Sequence, residues 1–182
     1  MSLKEITKDL HTTAEKTKFM QLAIGGNLPK DLYISYLWQH IPIYSTIEFG
    51  ASIQGFLSNL PDISRTKYIL ADFNELADPN IHHVWSSGTL NYLRYLQDLL
   101  NDPLRKHLIK AHLYVHHLGV INGGQYIKRL IPGSGSMYHF DNLEFLKYEI
   151  FKELTDDLGP EARVAFEFVI KILEDLVLNE PI

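Results

Sequence analysis

Four side chains with chemical potential follow one face of the first predicted helix. Lys4, Lys8, His11 and Glu15 are spaced four, three and four residues apart, which aligns them along a single stripe of an α-helix. A neutral imidazole can ligate a transition metal, and a carboxylate one turn away can orient its second ring nitrogen. The lysines suit the carboxylates of a bound ligand. Taken alone, the stripe favours a solvated charged face with an incidental histidine, so a ligand site needs support from elsewhere in the chain.

That support comes from glycines inside a predicted helix running from about Leu104 to Leu130. Gly119, Gly123 and Gly124 fall within six residues, at a combined cost of roughly 3 kcal/mol against alanine. A helix without side chains at these points can lie almost in contact with a flat ligand and bend over it. A loop between two helices is the alternative. The helix is favoured because apolar residues continue at helical intervals on both sides of the glycines: Leu113, Leu118, Ile121, Tyr126, Ile127 and Leu130.

Composition limits the class of protein. The chain has 182 residues, of which 46% are hydrophobic, enough for one core, and we predict a single domain over residues 1–182. A net charge of −5 without a basic run argues against nucleic acid as a partner. The absence of cysteine excludes disulfides, thiolate metal sites and a cysteine nucleophile. Neither a membrane-spanning run nor a signal-peptide pattern is present, so we expect a cytoplasmic protein without a membrane partner.

The periodicity predicts an all-α, multi-helix bundle. No stretch alternates apolar and polar residues with the period of two that a strand requires. A capping box of Ser2 and Glu5 opens the first helix, and later starts and stops are marked by proline, glycine and asparagine. The predicted helices run from Ser2 to Gly25, from Pro29 to Phe56 with a kink at Pro42, from Pro61 to Ala77, through Leu90–Leu100, from Leu104 to Leu130, from Asp141 or Asn142 to Leu158, and from Pro160 to Leu178.

Together, the two motifs resemble those of the biliverdin-producing heme oxygenases. The matching segments are residues 3–15 (LKEITKDLHTTAE), residues 18–20 and residues 111–125 (AHLYVHHLGVINGGQ). The resemblance extends in order over most of the chain. Pro61, Arg65 and Asp72 resemble the family's third-helix pattern, and Phe151-Lys152 resembles the position of a late basic residue. The resemblance implies an all-helical fold that binds heme between the first helix and the glycine-bearing helix.

The resemblance also implies a role for individual residues. His11 matches the histidine that binds heme iron, and Glu15 the carboxylate that supports it. Gly119 and Gly123 match glycines whose backbone lies over the heme, and Gly124 continues the bend. The remaining matches concern the heme propionates and the distal environment: Lys4, Lys8, Lys152 and Tyr114.

Val120 departs from the family pattern. The family normally has an aspartate here, which organises the waters that deliver protons in the reaction, whereas a valine side chain can neither donate nor accept a hydrogen bond. No acidic residue lies between Pro103 and Phe140 to replace it. His116, one turn earlier, or Asn122 could hold a water instead. For His116, a packed helical histidine is the simpler interpretation.

The implied reaction opens heme to biliverdin with release of iron and carbon monoxide. Heme b is then both substrate and cofactor, and the reaction consumes molecular oxygen. Electrons must come from an external donor such as a ferredoxin or a flavoprotein reductase, because no Gly-x-Gly-x-x-Gly motif occurs. The principal alternative is a heme-binding carrier or sensor that lost turnover with the aspartate. A helical bundle that binds no heme would make the two motifs a coincidence.

Other sites are less well supported. His112 and His116 are four residues apart, but Leu113 occupies the position where a zinc protease needs glutamate. No Glu-x-x-His occurs, which argues against a di-iron carboxylate site. Thiaminase-type relatives of this fold need a cysteine that the chain lacks. Phe166 and Phe168 on the last helix could reach the heme edge, but we assign them to the core.

Overall fold

The computed structural model describes residues 2–57 and 60–178, and within these ranges the chain forms helices and turns without any strand. The prediction of an all-α fold is therefore confirmed. Short 3₁₀ segments precede or join the longer elements. The α-helices are α1 (Leu3–Ile6), α2 (Lys8–Lys16), α3 (Lys18–Ile24), α4 (Lys30–Ile53), α5 (Thr66–Leu76), α6 (Ser87–Asn101), α7 (Ile109–Leu113), α8 (Gly119–Asn122), α9 (Gly124–Ile127), α10 (Leu143–Lys152) and α11 (Gly159–Leu178).

The N-terminal helix begins with the predicted capping box but is not continuous. The Ser2 backbone N–H donates to Glu5 Oε2 at 2.7 Å, and the Glu5 N–H donates back to Ser2 Oγ. Thr7 then separates α1 from α2. Thr17 separates α2 from α3, because its backbone is extended and its hydroxyl accepts from the Met20 N–H. One helix over Ser2–Gly25 was thus wrong in its continuity, although the third segment does end at Gly25.

Helix α4 passes through the centre of the bundle. It is apolar around most of its circumference, with residues such as Leu37, Ile43 and Ile47 fully buried, as expected for a helix surrounded by others. It packs against α5, α6, α7 and α11. Pro42 lies within the helix without ending it. Three charged or polar side chains of α4, Gln39, His40 and Glu48, are buried with it, and Glu48 forms a hydrogen bond with the glycine-bearing helix.

The glycine-bearing helix is regular only in part. It begins with a 3₁₀ turn and α7, widens into a π-helical turn over Tyr114–Leu118, and continues as α8 and α9, with Gly123 between them. The Tyr44 hydroxyl donates to the His116 carbonyl within the π-turn at 3.1 Å. π-Bulges inside α-helices often accompany functional sites. The structure therefore supports the helical interpretation of residues 109–127 and adds an irregularity that the sequence pattern did not predict.

The segment after the glycine helix is tied down by Arg65 and Asp72. Arg65 is buried, donates to the carbonyls of Asp62 and His139, and lies 4.0 Å from the centroid of the Phe140 ring. Asp72 accepts from the backbone N–H groups of Ser136 and Met137. Both residues therefore anchor the connection that follows the glycine helix, which gives a structural role to the third-helix pattern.

Helix α11 closes the bundle against α2, α3, α6 and α7. Its buried side of Ala162, Ala165 and Phe166 shares an apolar cluster with Leu3 and Val115. None of the helices in the described ranges combines the length and the apolarity needed to cross a bilayer.

Candidate functional site

The His11 side chain lies at the surface of α2. It is 59% exposed, and its ring packs edge-on against Phe166 at 6.0 Å between centroids. Nδ1 is 3.7 Å from Glu15 Oε1, which is within ion-pair range but too long for a hydrogen bond. Lys4 and Lys8 are exposed and form no ion pair within the described residues. The helical stripe predicted from the spacing is therefore present as an open, weakly paired face, which we call the His11 face (Lys4, Lys8, His11 and Glu15).

The His11 face adjoins the glycine-bearing helix. Thr7 Oγ1 lies 3.5 Å from the hydroxyl oxygen of Tyr114, at the start of the π-turn. Phe166, which supports the His11 ring, belongs to the same apolar cluster as Val115. The fold thus brings together two motifs that are about a hundred residues apart in the sequence.

The three glycines have different surroundings. A Cβ added to Gly119 would meet no atom within 4 Å, and at Gly123 it would touch only the Gly119 carbonyl oxygen at 3.4 Å. Both residues are exposed, so this stretch of backbone faces open space. At Gly124, an added Cβ would lie 2.4 Å from Tyr138 Cδ1. Glycine is therefore required at 124 by packing against Tyr138, independently of any ligand.

Three other residues singled out from the sequence, Lys152, Val120 and Asn122, have different surroundings. Lys152 is exposed on α10, and its ammonium donates to Glu149 Oε1 at 2.8 Å. Val120 is buried in an apolar cluster that also contains Phe19 and Ala23. Asn122 is exposed on the final turn of α8.

His116 is buried and already engaged on one side. Its Nε2 lies 3.1 Å from the Tyr92 hydroxyl, which is also 2.8 Å from His112 Nδ1. Burial lowers the pKa of His116 well below its usual value, and the nearby His40, His117 and His112 rings lower it further. The imidazole is therefore neutral at physiological pH, and only Nδ1 remains for another partner.

His117 points to a separate acceptor. Its Nε2 is 3.0 Å from Glu48 Oε1, and the same carboxylate accepts from the hydroxyls of Ser64 and Thr66 at the start of α5. Although burial raises the pKa of Glu48, these hydrogen bonds and the His117 ring outweigh it and lower the pKa to about 2. His117 therefore joins the π-turn to α4 and α5.

The sequence pattern missed Tyr92, Glu161 and Glu48. Tyr92 and Glu161 stand 24 and 45 residues from His116 along the chain, so no helical spacing connects them. A proline-glutamate pair at the start of α11 indicated only a helix start. The described residues contain no group of three or more histidine, aspartate or glutamate side chains arranged to hold a metal ion.

Fold and site define a class of all-α proteins in which a surface imidazole adjoins a helix with an exposed glycine backbone. The heme oxygenase family model matches residues 1–156, and the chain belongs to the heme oxygenase family. The family resemblance of the two sequence motifs is thereby confirmed.

Individual relatives are distant but cover nearly the whole chain. The heme oxygenase of Porphyra purpurea is 25% identical over 96% of this chain and 84% of its own length, and heme oxygenase 2 of Synechocystis is 26% identical over 93% and 79%. The structure of heme oxygenase-1 from Synechocystis in complex with heme has a TM-score of 0.84 at 20% identity, covering 97% of this chain and 91% of that one. Heme oxygenase from Leptospira interrogans has a TM-score of 0.80 at 24% identity, covering 96% and 99%. At these identities the structural likeness shows the shared fold.

Proposed function

We propose that this protein binds heme b between the His11 face and the glycine-bearing helix and opens it to biliverdin, releasing iron and carbon monoxide. The observation that carries the proposal is the open space at Gly119 on a helix adjoining an exposed imidazole. The heme bound in structures of the two Synechocystis heme oxygenases adds support.

The described residues fit a heme on both sides. The His11 Nε2 atom has no hydrogen-bond partner within the described residues and is available as a ligand. The other side would be supplied by Gly119 and Gly123, where the backbone carries no side chain and meets open space. A flat macrocycle can approach such a helix without displacing a side chain.

The His11 face would bind and orient the ring. The His11 imidazole would hold the heme iron, and Glu15 is close enough to orient Nδ1 after a small rotation. Lys4 and Lys8 would pair with the propionates. Lys152 would join them on release from Glu149, and the Tyr114 hydroxyl would complete the polar edge.

Bound heme would supply the iron that activates oxygen and the ring that is cleaved. The electrons would come from an external donor, a ferredoxin or a flavoprotein reductase. The chain carries no dinucleotide-binding motif of its own.

Proton delivery would not run through position 120, because the Val120 side chain has no polar atom and is buried among apolar residues. His116 lies one turn earlier and retains a free Nδ1, so we assign it the water that the family's aspartate would otherwise hold. Asn122, which is exposed on α8, is the second group able to hold that water.

A heme carrier or sensor is the second candidate function. It is favoured by the same Val120 observation, since the pocket residues would be retained while the acidic group used in turnover is absent. The two functions predict the same heme binding and differ only in the fate of the heme after reduction.

The test combines hemin titration with single-turnover reduction in the presence of ferredoxin, ferredoxin reductase, oxygen and catalase. Catalase excludes ring opening by free peroxide. Formation of biliverdin by the wild type would support the proposal. His116→Ala should slow this formation by a larger factor than it weakens hemin affinity. Val120→Asp should accelerate formation or relieve the His116 dependence.

The carrier function would replace the enzyme if the wild type binds hemin but forms no biliverdin while Val120→Asp does. Val120→Asn serves as the uncharged companion variant, because an aspartate buried in the apolar cluster carries a desolvation cost that can unfold the chain. Failure to bind hemin at all would overturn both functions.

A further inference from the structure

Four buried polar side chains form a continuous chain of hydrogen bonds across three helices. Glu161 Oε1 lies 3.0 Å from His112 Nε2, His112 Nδ1 lies 2.8 Å from the Tyr92 hydroxyl, and that hydroxyl lies 3.1 Å from His116 Nε2. Tyr92 and His112 are completely buried, and His116 and Glu161 nearly so. We call this group the Glu161 relay (Glu161, His112, Tyr92 and His116).

The relay has one end that can only accept. Burial raises the pKa of Glu161, but hydrogen bonds from His112 and Tyr95 outweigh this and hold the pKa below its usual value. The carboxylate is therefore ionised and has no proton to donate. Its partner, His112 Nε2, must carry the hydrogen.

The donor in each remaining hydrogen bond of the relay follows from the bond before it. Burial lowers the pKa of His112, so the ring is neutral, and a neutral imidazole that donates from Nε2 has a bare Nδ1. Tyr92 must then donate its only hydrogen to His112 Nδ1. The Tyr92 oxygen is left to accept, and the hydrogen it receives is on His116 Nε2.

From this sequence of bonds we infer that Glu161 is a positioning residue that acts through His112 and Tyr92 to fix His116 as the Nε2–H tautomer, with Nδ1 held as a bare acceptor. Nδ1 of His116 makes no hydrogen bond within the described residues, and it is not sealed from solvent as Nδ1 of His117 is. The tautomer stands independently of heme. Its catalytic consequence rests on the proposed function.

An Nδ1 atom without a hydrogen provides the hydrogen-bond acceptor that the Val120 side chain lacks. An acceptor can take one hydrogen of a water and leave the other free to donate, and under the proposed function that second hydrogen would be available to the bound substrate. The opposite tautomer would present an N–H and turn the water's oxygen toward the ring instead. The relay thus determines the orientation of the water through a ring that remains neutral.

The chain offers a matched pair of tyrosines to test this. Tyr92→Phe removes the hydroxyl in the middle of the relay. Tyr95→Phe removes a hydroxyl that also donates to Glu161 Oε1, at 2.5 Å, but has no hydrogen bond to either histidine. Glu161 then keeps the His112 hydrogen bond and the Arg105 ion pair at 3.9 Å, so we expect its carboxylate to stay ionised in this variant. A second relay variant, Glu161→Gln, keeps the shape and allows every bond to reverse, because an amide can donate to His112 Nε2.

The first measurement is the tautomer of His116 by ¹H–¹⁵N long-range NMR on the full, heme-free chain labelled with ¹⁵N-histidine and assigned with His116→Gln. The wild type and Tyr95→Phe should show the Nε2–H form. Tyr92→Phe and Glu161→Gln should show the Nδ1–H form or a mixture. Observation of Nδ1–H in the wild type, or of one tautomer in all four proteins, would overturn the inference. Glu161→Gln carries the test if Tyr92→Phe does not fold.

The second measurement is biliverdin formation against hemin affinity under the catalase-containing conditions. Tyr92→Phe and Glu161→Gln should each slow biliverdin formation by about 10-fold or more, as changes behind a functional group commonly do. Their hemin affinities should change by less than about twofold. The rate of biliverdin formation by Tyr95→Phe should also change by less than about twofold. A tautomer change without a rate change would overturn the catalytic consequence. If the relay variants change the His116 tautomer but the wild type itself forms no biliverdin, the positioning role is upheld and the proposed function is overturned.

Discussion

The His11 face and the Glu161 relay use histidine in opposite ways. His11 is more than half exposed and has its nearest carboxylate at 3.7 Å, whereas His112 is fully buried between a tyrosine hydroxyl and a carboxylate. The exposed ring is free to take a metal and to change partners. The buried rings are held by several helices, with protonation suppressed by desolvation. The number of groups packed around each histidine therefore decides whether its ring stays open to a new partner or is held in one orientation.

The largest effect should follow from removing the exposed ring. His11→Ala should lower biliverdin formation by more than about 100-fold, since loss of a metal ligand exceeds the usual effect of changing the groups behind it. The fold should survive because the side chain contributes little packing. The visible spectrum of the hemin complex measures the lost ligand. His107→Ala, another exposed histidine, is the control, and an unchanged spectrum in His11→Ala would remove His11 from the site.

The glycines extend the same comparison to the backbone. Gly124→Ala should lower the free energy of unfolding by about 3 kcal/mol, because its methyl group overlaps the Tyr138 ring. Gly119→Ala should raise it by up to about 1 kcal/mol through helix propensity, while weakening hemin binding. Urea unfolding and hemin titration of both variants separate packing from ligand contact. Equal hemin affinity in Gly119→Ala and the wild type would contradict the assignment of this backbone to the heme.

The buried rings should make stability depend on pH. Burial lowers the pKa of His40 to about 4, so between pH 6.5 and 4 the unfolded chain binds a proton that the folded chain does not. The free energy of unfolding should therefore fall as the pH falls, by about 2 kcal/mol from His40 alone at pH 5 relative to pH 7.5. Burial shifts the pKa values of His112 and His116 in the same direction. Urea unfolding at the two pH values measures the slope, which should shrink in His40→Gln and persist in His107→Gln. A slope unaffected by His40→Gln would show that desolvation of this ring is unimportant.

The smallest effects belong to the exposed cations. Lys4→Ala, Lys8→Ala and Lys152→Ala should each weaken hemin binding by only about two- to fivefold, as expected for pairs at solvent-exposed sites. Lys152 must first lose its hydrogen bond to Glu149, so we expect the effect of Lys152→Ala on hemin affinity to lie at the low end of this range. Isothermal titration gives the affinities, and chromatography of the biliverdin isomers reports any reorientation. Affinity and isomer ratio unaltered in all three variants would contradict the propionate assignment.

Much of the helical framework could be predicted because its signals are local. The Ser2–Glu5 box and the cap at Asn142, one of the two residues predicted for that position, follow from neighbouring residues and were confirmed. The breaks at Thr7 and Thr17 were missed, because a threonine is compatible with a helix interior and does not by itself mark a helix end. The π-turn was missed as well; its His116 carbonyl accepts from Tyr44, which lies 72 residues away and which no local pattern connects to it.

The sequence by itself determined the helical class, the stripe that carries His11, and the concentration of glycines at positions 119–124, because helical period and propensity depend on residues within a few positions of each other. Only the tertiary structure decided which glycine faces open space and which faces Tyr138. It also decided that His116 meets Tyr92 and that a carboxylate 45 residues further along the chain sets the direction of their hydrogen bonds. Those outcomes depend on how distant helices pack, and burial removes the water that would otherwise allow each ring to choose its own tautomer.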